Sequence, residues 1–157
     1  MALTLSGTVS SISKFLYQQT LPFSITASAN PTRDYEKSFA STDITKAYFG
    51  TYTVTTTPTT IDVTALTDPV YGGAVSFATV KHVQIVNNDT TNSLQAGGGT
   101  NALFSTLPVL VGQTGASNST GSCVNLTTNL TVDGTHKVIT LVASSGSISV
   151  DLFLVGN

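Results

Sequence analysis

Charge is what this chain most lacks. Asp, Glu, Lys and Arg make up 9% of its 157 residues, where an ordinary soluble domain has roughly 25%. Six basic and eight acidic residues leave a net charge of −2, and the basic residues do not cluster. A protein that tracks a phosphate backbone needs such a cluster, so nucleic acid is not an expected partner. Tryptophan is absent and cysteine occurs once, at Cys123. One cysteine excludes an intramolecular disulfide and any multi-cysteine zinc site. The longest apolar runs, such as LPVLVG, fall far short of the ~20 residues that span a bilayer. The opening MALTLSGTVSS has neither the basic stretch nor the apolar stretch of a secretory leader. Neither membrane attachment nor export is expected. The four Asn-x-Ser/Thr sequons, at Asn88, Asn118, Asn125 and Asn129, then read as accidents of composition.

Serine and threonine fill the place of the charges, with 46 of the 157 positions. Threonine and valine are β-branched and favour pleated, half-buried surfaces. A polar, nearly uncharged β-surface gets little help from charge repulsion in staying monomeric. It suits a chain that binds copies of itself or a larger assembly.

The second half shows the period of two that marks strands. In 74–87, Val75, Phe77, Val83 and Ile85 share a face, with a bend expected near Thr79. In 124–132, Val124, Leu126, Leu130 and Val132 face one way and Asn125, Thr127, Asn129 and Thr131 the other. Asp133-Gly134 follows, a hairpin signal, and predicts that 124–143 folds back on itself through a return strand at 136–143. The last segment, ISVDLFLV at 148–155, puts Ile148, Val150, Leu152 and Leu154 on one face. Gly97-Gly-Gly99 permits positive φ or close backbone approach. The first half is less regular. Its β-branched and aromatic residues favour strands over a helix across 33–49.

Several short strands separated by turn signals predict an all-β fold, an antiparallel β-sandwich of jelly-roll type. Residues 1–20 show no continuous apolar face. They are expected to form an extended N-terminal arm, reaching up to ~66–72 Å if fully stretched, ahead of a single domain at 21–157. Its isolated apolar anchors, Ile12, Phe15, Leu16 and Tyr17, are the candidate interaction residues.

Catalytic chemistry finds little support. His82 and His136 lack the spacing of a metal pair; both are expected to be structural or surface residues, with His136 facing solvent. Asn87, Asn88 and Asp89 are oxygen-rich, but one carboxylate makes a poor calcium site. No G-x-S-x-G elbow is present, and Cys123 is expected to be a small buried hydrophobe. The acidic residues offer no acid/base pair. No catalytic residue, cofactor or metal is expected.

One stretch carries a family resemblance. It begins at Leu66, LTDPVYGGAVSFATVKHVQIVNN, and is followed by Gly97-Gly-Gly99 and Asn101-Ala-Leu-Phe104. The chain ends in HKVITLVASSGSISVDLFLVGN. This order resembles small jelly-roll-like virion structural proteins of tailed bacteriophages, over roughly the C-terminal 90 residues. The resemblance differs in the loop GQTGASNSTG and in a Thr-rich middle. It implies a capsid decoration or cement subunit rather than an enzyme. Expected partners are the major capsid protein or other virion subunits, with a dimer or trimer of the chain itself. Its place would be the capsid exterior, after synthesis in the bacterial cytoplasm. A tail, fibre or spike subunit touching the host is the alternative, and a non-viral lectin-like module a further one.

Overall fold

Thirteen strands and no helix make up the regular structure among the described residues of the computed structural model. Those residues are 7–14, 17–21, 25–29, 32–40, 43–69, 72–110 and 123–157. The fold is all-β with antiparallel sheets. The chain divides into two units, Met1–Thr42 and Asp43–Asn157.

The first unit is built from β1 (Gly7–Lys14), β2 (Tyr17–Leu21), β3 (Ile25–Ala29) and β4 (Thr32–Phe39). β1 pairs with β4 from Gly7↔Phe39 to Lys14↔Thr32. β2 pairs with β3 from Tyr17↔Ala29 to Leu21↔Ile25. Each ladder is a two-stranded ribbon of its own, and the pairs Lys14↔Thr32 and Tyr17↔Ala29 are in the same register. The boundary expected after residue 20 falls inside β2.

The second unit holds β5 (Lys46–Thr55), β6 (Thr59–Asp62), β7 (Leu66–Thr67), β8 (Ala74–Val75), β9 (Thr79–Asn87), β10 (Leu94–Ala96), β11 (Cys123–Thr131), β12 (Val138–Ala143) and β13 (Ser147–Gly156). One sheet has the order β11-β9-β13-β5 and another the order β10-β12-β6, while β7 and β8 form a small ladder of their own. Leaving that ladder aside, each successive strand from β5 to β13 enters the sheet its predecessor did not. The strands expected across 33–49 are present as β4 and β5. The single strand expected over 74–87 is two, β8 and β9.

The hairpin expected over 124–143 is not formed. β11 pairs with β9, and β12 pairs with β6 and β10. The Asp133-Gly134 signal marks a crossing between sheets. Gly134 is not among the positive-φ glycines, so the type I′ geometry is absent. Instead the Asp133 carboxylate accepts the backbone N–H groups of Thr135 (2.7 Å) and His136 (2.8 Å), an Asx-type loop. The apolar faces decide the matter. Leu130 and Ile139 gain more by joining one core from two sheets than by lying side by side in one. Between β12 and β13 the chain crosses again at Gly146, whose φ of 61° suits glycine.

Both sheets feed one buried cluster. Val54 from β5, Ile85 from β9 and Leu152 from β13 meet Ile61 from β6, Leu94 from β10 and Leu141 from β12. Among the described residues, every member of that cluster lies in 43–157. On β5 the Tyr48 and Tyr52 hydroxyls are 2.6 Å apart, bridging Gly50, where a Cβ would collide with the Tyr48 ring. Burial and the Tyr48 hydroxyl push the Tyr52 phenol above its usual range.

Candidate functional site

An open concavity with polar groups lies where the loop after β10 meets the loop before β12. β10 ends at Ala96, and Gly97, Gly98 and Gly99 follow with φ of 83°, 70° and 86°. L-residues avoid this region, so three glycines in a row allow the chain to coil tightly. Asn101 also has positive φ, 55°, as asparagine tolerates. The glycines let a second stretch approach. A Cβ on Gly97 would lie 2.5 Å from the Ser105 carbonyl oxygen, and one on Gly98 would strike the Thr106 hydroxyl. Gly98 N–H donates to the Phe104 carbonyl (3.0 Å), and Leu107 N–H to the Ala96 carbonyl (2.8 Å). Leu103 N–H donates to Val138 O (2.8 Å), and both Lys137 and Val138 donate to Asn101 O. The loop is thereby fastened to the start of β12.

His136 arrives from the Asx loop. Its Nδ1 stands 3.0 Å from Asp133 Oδ1 and 3.1 Å from Oδ2. The Thr135 hydroxyl is within 3.1 Å of the same nitrogen. Backbone donation from Thr135, then its hydroxyl, then His136, hold the Asp133 carboxyl down at about 2. Gly98, Gly99, Phe104, Ser105, Thr106 and His136 line an open cavity of about 520 Å³. Among the described residues the hydrogen-bond contacts of the His136 ring are with Asp133 and Thr135.

The other titratable residues are dispersed. His82 has no exposed surface. Its Nδ1 is 3.0 Å from the Thr127 hydroxyl, and Nε2 has no partner among the described residues. Cys123, expected to be buried, is exposed at the start of β11, because its position pairs with the outward-facing Val86. Partial burial still pushes its thiol up, which disfavours the reactive thiolate. Asp62 pairs with Lys137 at 2.8 Å; that contact and the Thr64 hydroxyl hold it at about 2. Asp151 accepts from Thr51 (2.6 Å) and Asn88 (2.8 Å). In the oxygen-rich loop Asn87 Oδ1 accepts Asp89 N–H (3.0 Å), while Asp89 accepts the N–H groups of Thr91 and Asn92. Those oxygens serve the turn.

Of the four candidate interaction residues, Ile12 sits in β1 opposite Asp34 and Tyr17 in β2 opposite Ala29. Phe15 and Leu16 lie outside the described residues.

His82 has a consequence for acid stability. Burial lowers its pKa from the ordinary 6.5, so the unfolded chain binds the extra proton first. Stability from the neutral ring is then complete above 6.5 and declines as pH falls through the window below it. The urea midpoint should drop between pH ~7.5 and ~5, and His82→Gln should flatten the drop. Parallel decline of both proteins would assign the effect to other groups.

Compared with protein-family models, with curated proteins and with solved structures, the chain matches none.

Proposed function

We propose that this chain is a bacteriophage virion structural protein, a decoration or cement subunit on the outside of the head. In this reading Asp43–Asn157 is a jelly-roll sandwich and the β1–β4 ribbon is its attachment arm. The observation that carries the reading is the strand order. A jelly roll interleaves two sheets so that most consecutive strands alternate between them. The orders β11-β9-β13-β5 and β10-β12-β6 follow that scheme. The bridge Leu94↔Leu110 extends the smaller sheet at the β10 edge, where an eighth strand belongs.

The ribbon supports the arm. A two-stranded ribbon is at best marginally stable alone, so a partner surface is its natural completion. Low charge suits a subunit that meets a shell through many weak contacts. Repetition around a symmetric particle multiplies such contacts, and few of them would be screened by salt. The partner in this reading is the major capsid protein, and the subunit itself a dimer or trimer.

The test is sedimentation with separated heads and tails of the phage that encodes the chain. The full chain is expected with heads, at a copy number set by their symmetry. A chain lacking residues 1–42 keeps every described member of the buried cluster and is expected to fold but stay in the supernatant. Recovery with tails would favour the fibre or spike reading, which the open cavity also suits. Recovery with neither would overturn the virion assignment.

A further inference from the structure

We propose that the cavity bounded by Gly98, Phe104 and His136 binds a neutral saccharide unit. The volume fits: about 520 Å³ lies within the roughly 300–1,000 Å³ of small-ligand sites. The lining mixes one aromatic ring with short hydroxyls. Phe104 is half-buried and packs on the core, so its ring is held in place. An aromatic face is electron-rich and attracts the weakly positive C–H hydrogens of a pyranose. Ser105 and Thr106 bring hydroxyls that both donate and accept. Asp133 engages His136 Nδ1, which leaves Nε2, without a partner among the described residues, for a sugar hydroxyl.

Charge narrows the ligand. The Asp133 carboxyl, at about 2, is ionised at any physiological pH. The nearest lysine in sequence, Lys137, is paired with Asp62 at 2.8 Å. Among the described residues no lysine or arginine lines the cavity, and its one titratable side chain, His136, already faces the Asp133 carboxylate, so little there offsets the charge of a phosphate or an acidic sugar. A polyhydroxylated neutral ring meets no such penalty.

The cavity is also built before any ligand arrives. Positive φ at three successive glycines, the close approach of Ser105 and Thr106, and the hydrogen bonds from Gly98 and Leu107 fix the loop. Little ordering remains to oppose binding. Side chains at 97 or 98 could not be accommodated without pushing the second stretch away.

The experiment is an amide-resolved NMR titration of the full chain with glucose, galactose, N-acetylglucosamine and maltotetraose, with glucuronate as the acidic counterpart. Saturable shifts at Gly98, Gly99 and His136 are expected with at least one neutral sugar, at a Kd of about 1 mM, near the weak end of specific binding. Phe104→Leu, which keeps apolar bulk and removes the ring, should weaken binding about tenfold or more. His136→Ala should also weaken it, and because His136 is exposed this variant tests the site even if Phe104→Leu misfolds. Absence of saturable shifts with every neutral sugar, equal binding of glucuronate, or binding indifferent to His136→Ala would each overturn the proposal. The inference does not depend on a place in the virion: sugar binding by a chain absent from particles would retain it and reject the function proposed above.

Discussion

Asn87→Asp is expected to destabilise the Asp43–Asn157 unit by roughly 3 kcal/mol or more near neutral pH, in the range for breaking a buried polar network. Asn87 ends β9 with no exposed surface. Its Nδ2 donates to Asn92 O (2.9 Å) and Leu110 O (3.1 Å), and its Oδ1 accepts Asp89 N–H. One side chain therefore fastens both the 88–92 loop and the bridge at Leu110. Aspartate has the same shape but places a carboxylate oxygen against two carbonyl oxygens. Burial and those carbonyls would raise its folded-state pKa above the unfolded value. The variant's deficit should then be smallest in acid and widen as pH rises through that raised pKa. Urea unfolding near pH 4.5 and near pH 7.5 checks both the size and the slope. A midpoint like that of the parent at both pH values would mean these hydrogen bonds hold nothing.

The strands were legible where the chain itself carries the period. β13 alternates from Ser147 to Leu154, and Ile148, Val150, Leu152 and Leu154 are all buried as their spacing predicts, while Val155 on the other face is buried as well. Partnership was not legible. Asp133-Gly134 is a local signal, and whether β11 and β12 pair or part depends on which core each can join. Nor does alternation reveal an extra residue. The register between β11 and β9 slips between Thr127 and Leu130, where β11 carries one residue more than β9, so Leu126 and Leu130 both pack on the core opposite Val83 and Val80, which stand three apart.

The cavity hid for a related reason. Gly97-Gly-Gly99 pointed to positive φ or close backbone approach, and the structure has both. His136 was legible as a surface residue beside a turn. Nothing in the spacing joins them, since they come from different loops that meet only because β10 and β12 are neighbours. His82 shows the opposite limit. Its place on a strand was evident, but not its complete burial or its neighbours Thr127 and Phe153, which lie on other strands and far along the chain.

Leu152→Ala is the second large effect, at about 3–5 kcal/mol, the upper part of the range for buried leucine. The cost depends on how far neighbours can relax into the space left behind. Leu152 lies in β13 between Ile85 of β9 and Gly50 of β5. Glycine has no side chain to move inward, and the Tyr48–Tyr52 hydroxyl pair above it resists rearrangement. Ile85 is itself fully buried and held by the next strand. The hole should therefore persist. Phe49→Ala is the control. It removes more atoms, but Phe49 is 53% exposed and packs across the strand from Phe153, a surface pair contributing about 1 kcal/mol or less. For a unit of this size the leucine variant should lower the melting temperature by more than about 10 °C and the phenylalanine variant by only a few degrees. Equal losses would mean that the face of β13 bearing Phe153 is as closely packed as the face bearing Leu152, and that the core does not lie where the alternation places it.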